Sequence, residues 1–305
     1  MNAADIDNVQ LDLGTSSEVA MMLMLSLMMF AVALGLRKEH FAFFKTNPKV
    51  YFAGVLAQTF GLPALTVLLC LIVKPQPSIA LGMILIACCP GGNSSNLLAL
   101  FGRADTALSV SLTATSSLLA AILTPLSILF WSGLYPPTAV LLTEIDFDTV
   151  NFLVQTLIIL ALPLFLGMWL ASLAPALAMK LQKPLALLGG VGLGLIIIGA
   201  LIKFGGILFD IGLWILGLVI LHNGLAYLLG FLSGVAAKAN VRQRRALTFE
   251  VGIQNAGLGI VILLTQLGGL GGAAAIAGLW GSWHVVGGFL LVALFRHNDK
   301  KADHV

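Results

Sequence analysis

The sequence predicts an all-α polytopic membrane protein of nine transmembrane helices, two of them interrupted. Three observations predict it: an apolar composition, nine apolar segments of spanning length, and a lopsided placement of Lys and Arg. Of the 305 residues, 59% are hydrophobic and 10% charged, with a mean hydropathy of +1.03. A soluble domain carries roughly a quarter of its residues as charges. One core cannot hide so much apolar surface, so lipid is the expected solvent. The formal charge of +3 gives no nucleic-acid signal, because the positive residues form no single patch. Cys70, Cys88 and Cys89 all lie in apolar runs. An odd number there argues against a disulfide framework and for small buried side chains.

A spanning helix needs about 20 apolar residues. Segments that meet this lie at approximately 18–36, 50–73, 78–101, 105–131, 149–171, 185–203, 211–232, 246–266 and 273–295. The first does not read as a cleaved signal peptide. Asp5, Asp7, Asp12 and Glu18 precede or open it, and Arg37 and Lys38 follow it, the reverse of the usual charge order. With the N-terminus outside, 14 of the 16 Lys and Arg residues fall in inside loops, and only Lys74 and Lys203 fall outside. The acidic Glu144, Asp146 and Asp148 also fall outside. That asymmetry predicts a cell-membrane (inner or plasma) protein with its N-terminus outside and its C-terminus cytoplasmic. The tail from Arg296 to Val305 reads as a solvated basic end. No linker separates soluble domains, so residues 1–305 are expected to form one membrane domain.

The third segment contains Pro90-Gly91-Gly92-Asn93-Ser94-Ser95-Asn96. Proline removes a donor and clashes with the preceding turn, and glycine is a poor helix former. The four residues after them suit the N-terminus of a restarting helix. The pattern reads as helix, break, helix. Non-helical backbone at membrane depth survives only where it is buried in protein or lines a cavity. Free carbonyls there can hold a cation, and the new N-terminus can face an anion. The alternative is a short re-entrant loop. On the next segment Thr106, Ser109, Thr113 and Ser116 recur at helical spacing and put a hydroxyl stripe on one face. Interhelical packing by small residues would give the same stripe.

The eighth segment carries Glu250, Gln254 and Asn255 among Gly252, Gly257 and Gly259. A carboxylate in hydrocarbon costs about 2.5–3.5 kcal/mol on insertion scales, so it is retained where it has a partner. No basic residue lies at similar depth within the spans, which makes a bound cation the expected partner. The alternative is a Glu near the boundary, paired with Arg244 or Arg245. Hydroxyls, amides, carbonyls and one carboxylate are hard oxygen ligands, suited to hard cations. One shared carboxylate suits a monovalent ion, with sodium first and protons second. Paired interrupted segments in two halves point to an inverted-repeat transporter and to its binding site. No nucleophile elbow, Asp-rich pyrophosphate motif or His-Glu-x-x-His zinc motif is present, so an enzyme is not expected.

Cys89-Pro-Gly-Gly-Asn-Ser-Ser-Asn96, Ala107-Leu-Ser-Val110 and Glu250-Val-Gly-Ile-Gln-Asn255 resemble the bile acid:sodium symporter family. Leu221-His-Asn-Gly224 and Trp283-His284 also resemble it, and the likeness runs from about residue 20 to residue 295. The resemblance implies a core domain (about 50–131 and 211–295) and a panel domain (about 18–49 and 149–203), with two broken helices crossing in the core. The chain resembles the family's nine-helix layout rather than its ten-helix one. The resemblance implies two sodium ions as coupling ions and no other cofactor. Ser95, Asn96, Ser109, Thr113 and Glu250 match the first site. Gln58, Glu250, Val251, Ile253 and Gln254 match the second, with Val251 and Ile253 offering backbone carbonyls. Asn93, Asn255 and His284 would line the substrate side, although His284 reads equally as a satisfied core histidine. His222 is expected to pack within the bundle. The implied function is sodium-coupled import of an organic anion, such as a bile acid or a smaller carboxylate, by alternating access. A proton-coupled or uncoupled carrier on the same scaffold is the alternative. The expected partners are sodium, the organic anion and the bilayer, with no nucleic acid.

Overall fold

In the computed structural model the described residues are 6–7, 9–41, 43–145, 147–210 and 213–302, and they form an all-helical bundle without strands. Asp5 and Asp146 lie outside the described residues, as do the side chains of Lys38, Lys203 and Lys301.

Helix α1 (Thr15–Leu34) is followed by a 3-10 turn at Lys38–Phe41 and the short α2 (Phe43–Thr46). Helices α3 (Pro48–Leu56) and α4 (Leu62–Val73) are joined by a π turn at Ala57–Gly61. Pro63, two residues past the turn, has no N–H to give a regular α ladder, and the wider turn absorbs that loss. The first predicted break separates α5 (Pro77–Ala87) from α6 (Ser94–Phe101). Helix α7 (Thr106–Leu134) starts where the Asp105 carboxylate accepts from Leu108 N at 3.1 Å. A short α8 (Pro136–Glu144) occupies the longest predicted loop. Asp148 caps α9 (Thr149–Leu173) in the same way, accepting from Val150 N and Asn151 N.

Helices α10 (Pro175–Asp210) and α11 (Leu213–Ala236) follow. Helix α12 (Val241–Gly252) opens with a capping box: Asn240 accepts from Gln243 N, and the Gln243 side chain accepts from Asn240 N. The second predicted break divides it from α13 (Ala256–Gln266), and α14 (Gly271–Ala302) completes the bundle.

The predicted segments therefore fall on α1, α3–α4, α5–α6, α7, α9, α10, α11, α12–α13 and α14. Among the described residues, six of these units (α1, α3–α4, α7, α9, α11 and α14) are long and apolar enough to cross a membrane, while α5 and α13 are shorter apolar helices. Burial separates the elements. Every residue of α5 from Ser78 to Ala87 is buried, as is α12 from Arg245 to Gly252. The outer helices instead expose large apolar side chains such as Ile72, Phe165, Leu187 and Leu290. So large an apolar exterior belongs to a protein solvated by lipid rather than water. Helix α1 packs along α9 and α10, whereas α5 packs on α14, and α12 packs on α11 and α6.

Candidate functional site

The two breaks meet and satisfy one another. Gly92 N donates to Ile253 O at 3.0 Å, Asn255 N donates to Pro90 O at 2.9 Å, and Gly91 lies opposite Gln254 as an antiparallel bridge. Backbone groups released by each interruption thus find partners in the other, as buried amides must. Asn255 also caps α13, its side chain accepting from Leu258 N at 3.1 Å.

Beside this crossing, all five residues assigned by motif to the first ion site converge. Glu250 is fully buried, and Ser95 Oγ stands 2.8 Å from its Oε2. Thr113 Oγ1 lies 2.9 Å from both Glu250 oxygens, and Ser109 Oγ lies 3.3 Å from Oε2. Asn96 Oδ1 faces Ser109 Oγ at 2.9 Å and Thr113 Oγ1 at 3.3 Å. The three hydroxyls bring one proton each. Thr113 alone is within reach of the two carboxylate oxygens, Asn96 Oδ1 and Ser109 O. The cluster therefore holds more lone pairs than protons, the charge pattern that complements a small cation. Gly91 makes room for the carboxylate: a Cβ there would stand 2.3 Å from Glu250 Oε1. Only glycine lets a backbone approach that closely.

The pairing of Glu250 with Arg244 or Arg245 does not occur. The Arg245 guanidinium grips Asp299 with two nitrogens, donates to Gly102 O at 3.2 Å, and lies over the Phe295 ring at 4.9 Å. Arg244 Nε donates to Ala239 O at 2.8 Å. Both arginines serve the end of the bundle, and Glu250 is left to hydroxyls.

The residues of the second ion site are adjacent but differently arranged. Gln58, carried on the π turn, and Gln254 form a reciprocal amide pair, Nε2 to Oε1 at 2.7 and 3.2 Å. Gln58 Nε2 also reaches Cys89 O at 3.2 Å, and Gln254 Nε2 donates to Val251 O at 2.8 Å. The Ile253 carbonyl is engaged by Gly92 N. Gln58 and Glu250 share the wall of a small void with Ser116. Ser116 was visible in the sequence only as part of the hydroxyl stripe. Its hydroxyl accepts from Gly91 N at 3.2 Å and so fixes the first break against α7. Thr106, at the far end of the same stripe, lies apart from the cluster, beside Arg103 and Arg242.

Of the three residues expected on the substrate side, Asn93 lines a cavity of about 200 Å³, with Asn96, Thr113 and Ser117 on one wall. The opposite wall comes from the end of α1, His40, and Gln182 of α10. Asn255 and His284 are not on that lining. His284 is buried against Trp280, ring centroids 5.2 Å apart, with its Nδ1 unpartnered, and its carbonyl accepts from the Tyr227 hydroxyl. His222 packs as expected. Its Nδ1 accepts from Trp280 Nε1 at 3.2 Å and its Nε2 meets Thr66 Oγ1 at 2.8 Å.

The sequence model of the Sodium Bile acid symporter family matches residues 22–210 of this chain. The chain belongs to the sodium bile acid symporter family. That match holds the first break, and pairwise similarity extends across the second. The chain is 30% identical over 277 residues to the uncharacterized sodium-dependent transporter YocS of Bacillus subtilis (strain 168), covering 91% of this chain and 83% of that one. It is 32% identical over 257 residues to the probable sodium/metabolite cotransporter BASS1, chloroplastic, of Arabidopsis thaliana, covering 83% and 61%. It is 31% identical over 240 residues to the human ileal sodium/bile acid cotransporter, covering 76% and 65%. The match thus spans less than two thirds of the plant and human relatives. Relatives in the sodium bile acid symporter family carry the names of transporters and cotransporters, not of enzymes. Together with the apolar helices, membership makes this an integral membrane protein of a sodium-dependent transporter family.

Proposed function

We propose that the protein is a sodium-coupled symporter that imports an organic anion, a bile acid or a smaller carboxylate, across the cell membrane. The carrying observation is the Glu250 cluster, where three hydroxyls, an amide oxygen and a buried carboxylate converge with too few protons and, among the described residues, no basic side chain. One sodium ion sits there, held by Ser95, Asn96, Ser109, Thr113 and Glu250. A second sits by Gln58, Val251, Ile253 and Gln254, once the amide pair turns its oxygens inward, and it shares Glu250. Substrate enters the cavity at Asn93, with Asn255 and His284 contributing as the cleft widens. Among the described residues the cavity lining holds no Lys or Arg, so amide groups, hydroxyls and the N-terminus of α6 recognise the anion.

In this reading the chain crosses the membrane nine times with its N-terminus outside. The units α3–α7 and α11–α14 form a core of inverted repeats, and α1, α9 and α10 form a panel that moves against it. The packing of α1 with α9 and α10 supports that division. Sodium and substrate raise each other's affinity because both order the same crossing. Uptake into proteoliposomes under a sodium gradient is the test, with taurocholate and a short-chain carboxylate as probes. Intact sodium-coupled uptake after Glu250→Ala or Gln254→Ala would sink the site assignment.

The proton shortage at Glu250 also suits a proton-coupled carrier, since protonating the carboxylate adds one donor to the cluster. Uptake driven by a pH gradient in sodium-free buffer would select that reading.

A further inference from the structure

The stretch before α1 takes no part in the ion or substrate groups, yet it is firmly docked. Leu11 N donates to Gly269 O at 2.8 Å, Gly271 N donates to Val9 O at 2.7 Å, and Gln10 lies opposite Leu270 as an antiparallel bridge. Earlier in the stretch, Asp7 Oδ1 accepts from Ser78 N at 2.8 Å at the start of α5, and Ile6 is buried in the core. The turn between α13 and α14 is shaped to receive this strap. Gly269 adopts φ +60°, and a Cβ there would lie 2.7 Å from Leu11 O. A side chain at that position would both strain the turn and evict the strap.

The strap has a place in the mechanics of the bundle. It continues directly into α1, which packs mainly with α9 and α10 and also touches α13. Its hydrogen bonds go to α5 and to the α13–α14 turn, the ends of the two interrupted helices. It therefore ties one helix group to the other. It does so at the end of α1 opposite the Asn93 cavity, which is lined by Ala31 and Val32 in the helix's last turn and by Gly35 and Leu36 just past it. A 20-residue helix separates strap and cavity by about 30 Å.

The geometry points to residues 6–7 and 9–11 as a latch: it holds the two helix groups together at the strap end while the cavity is open at the other, and it must release when the strap end opens. This inference rests on the alternating-access reading above. It is independent of which ion binds Glu250.

Spin labels at Ile72→Cys on α4 and Val150→Cys on α9 span the two groups at the strap end, where both side chains are exposed. Contact between Thr156 and Gln266 puts the start of α9 at that end. With the native cysteines replaced by alanine, electron–electron distances in nanodiscs would be compared in three proteins: the labelled parent, Asp7→Ala, and a chain lacking residues 1–11. The expected result is a longer-distance population that grows about fivefold in Asp7→Ala, the weight of one lost hydrogen bond, and further in the truncation. Identical distributions in all three proteins overturn the latch. If the variants widen the distance but sodium fails to raise the melting temperature, the latch stands and the sodium assignment at Glu250 falls.

Discussion

Glu250 is held by three hydroxyls rather than by a cationic side chain, so in the proposed reading a bound cation completes the compensation of its charge. Glu250→Gln keeps the shape and removes the charge. Sodium-dependent uptake should fall at least about 100-fold, consistent with one or two charge-assisted contacts of ~1.5–3 kcal/mol each. Thr113 touches both carboxylate oxygens, so Thr113→Val should raise the sodium concentration for half-maximal uptake about tenfold, whereas Thr113→Ser should stay near the parent. Gly91→Ala should destabilise the protein by about 1–3 kcal/mol and blunt the sodium response, because the methyl group would displace Glu250 Oε1. Thermal unfolding with and without sodium reads both effects. Much of this cluster was legible in the sequence, since polar residues in a lipid-solvated segment stand out. Ser116 was not assigned a role, because a serine among small helical residues reads as packing. The seating of His284 on Trp280 was equally illegible, since it depends on rotamers and on a neighbour one helical turn away.

At the level of elements, both interruptions were readable because Pro90, the glycines and the cap residues lie within single apolar segments. The π turn was not, although Pro63 was its only sequence sign. It is this turn that carries Gln58 to Gln254. Pro63→Ala restores a backbone donor and should let α3–α4 relax toward a regular ladder, rotating Gln58 off the crossing. The expected outcome is weaker sodium stabilisation with little loss of helix content, measured by circular dichroism and melting in parallel. The ends of α12 and α14 are joined by the Arg245–Asp299 pair. Arg245 is buried, so Asp299→Asn leaves its charge poorly compensated and should lower stability by roughly 1–3 kcal/mol. Glu250-dependent uptake per folded molecule should be unchanged.

For the whole molecule, sodium should act as a stabilising ligand. At about 100 times its dissociation constant it adds ~2.7 kcal/mol, so the melting temperature should climb with sodium and not with potassium at equal ionic strength. The order of helices followed from hydropathy, because a segment in lipid must be apolar over its whole length. The docking of Gln10 beside Leu270 was beyond reach, since the strap is short, unpatterned and far in sequence from its receptor. The antiparallel contact at Gly91 and Gln254 carries one more consequence, for how the chain is made. When the ribosome has delivered α5 and α6 to the membrane, Gly92 N and Pro90 O of their break still lack the partners that arrive with α12 and α13, some 160 residues later. The first half of the chain must wait with open polar backbone, shielded by water, by the insertion machinery or by a chaperone. Chains stopped before α12 should be rapidly degraded, and a separately expressed segment from α11 to α14 should rescue them.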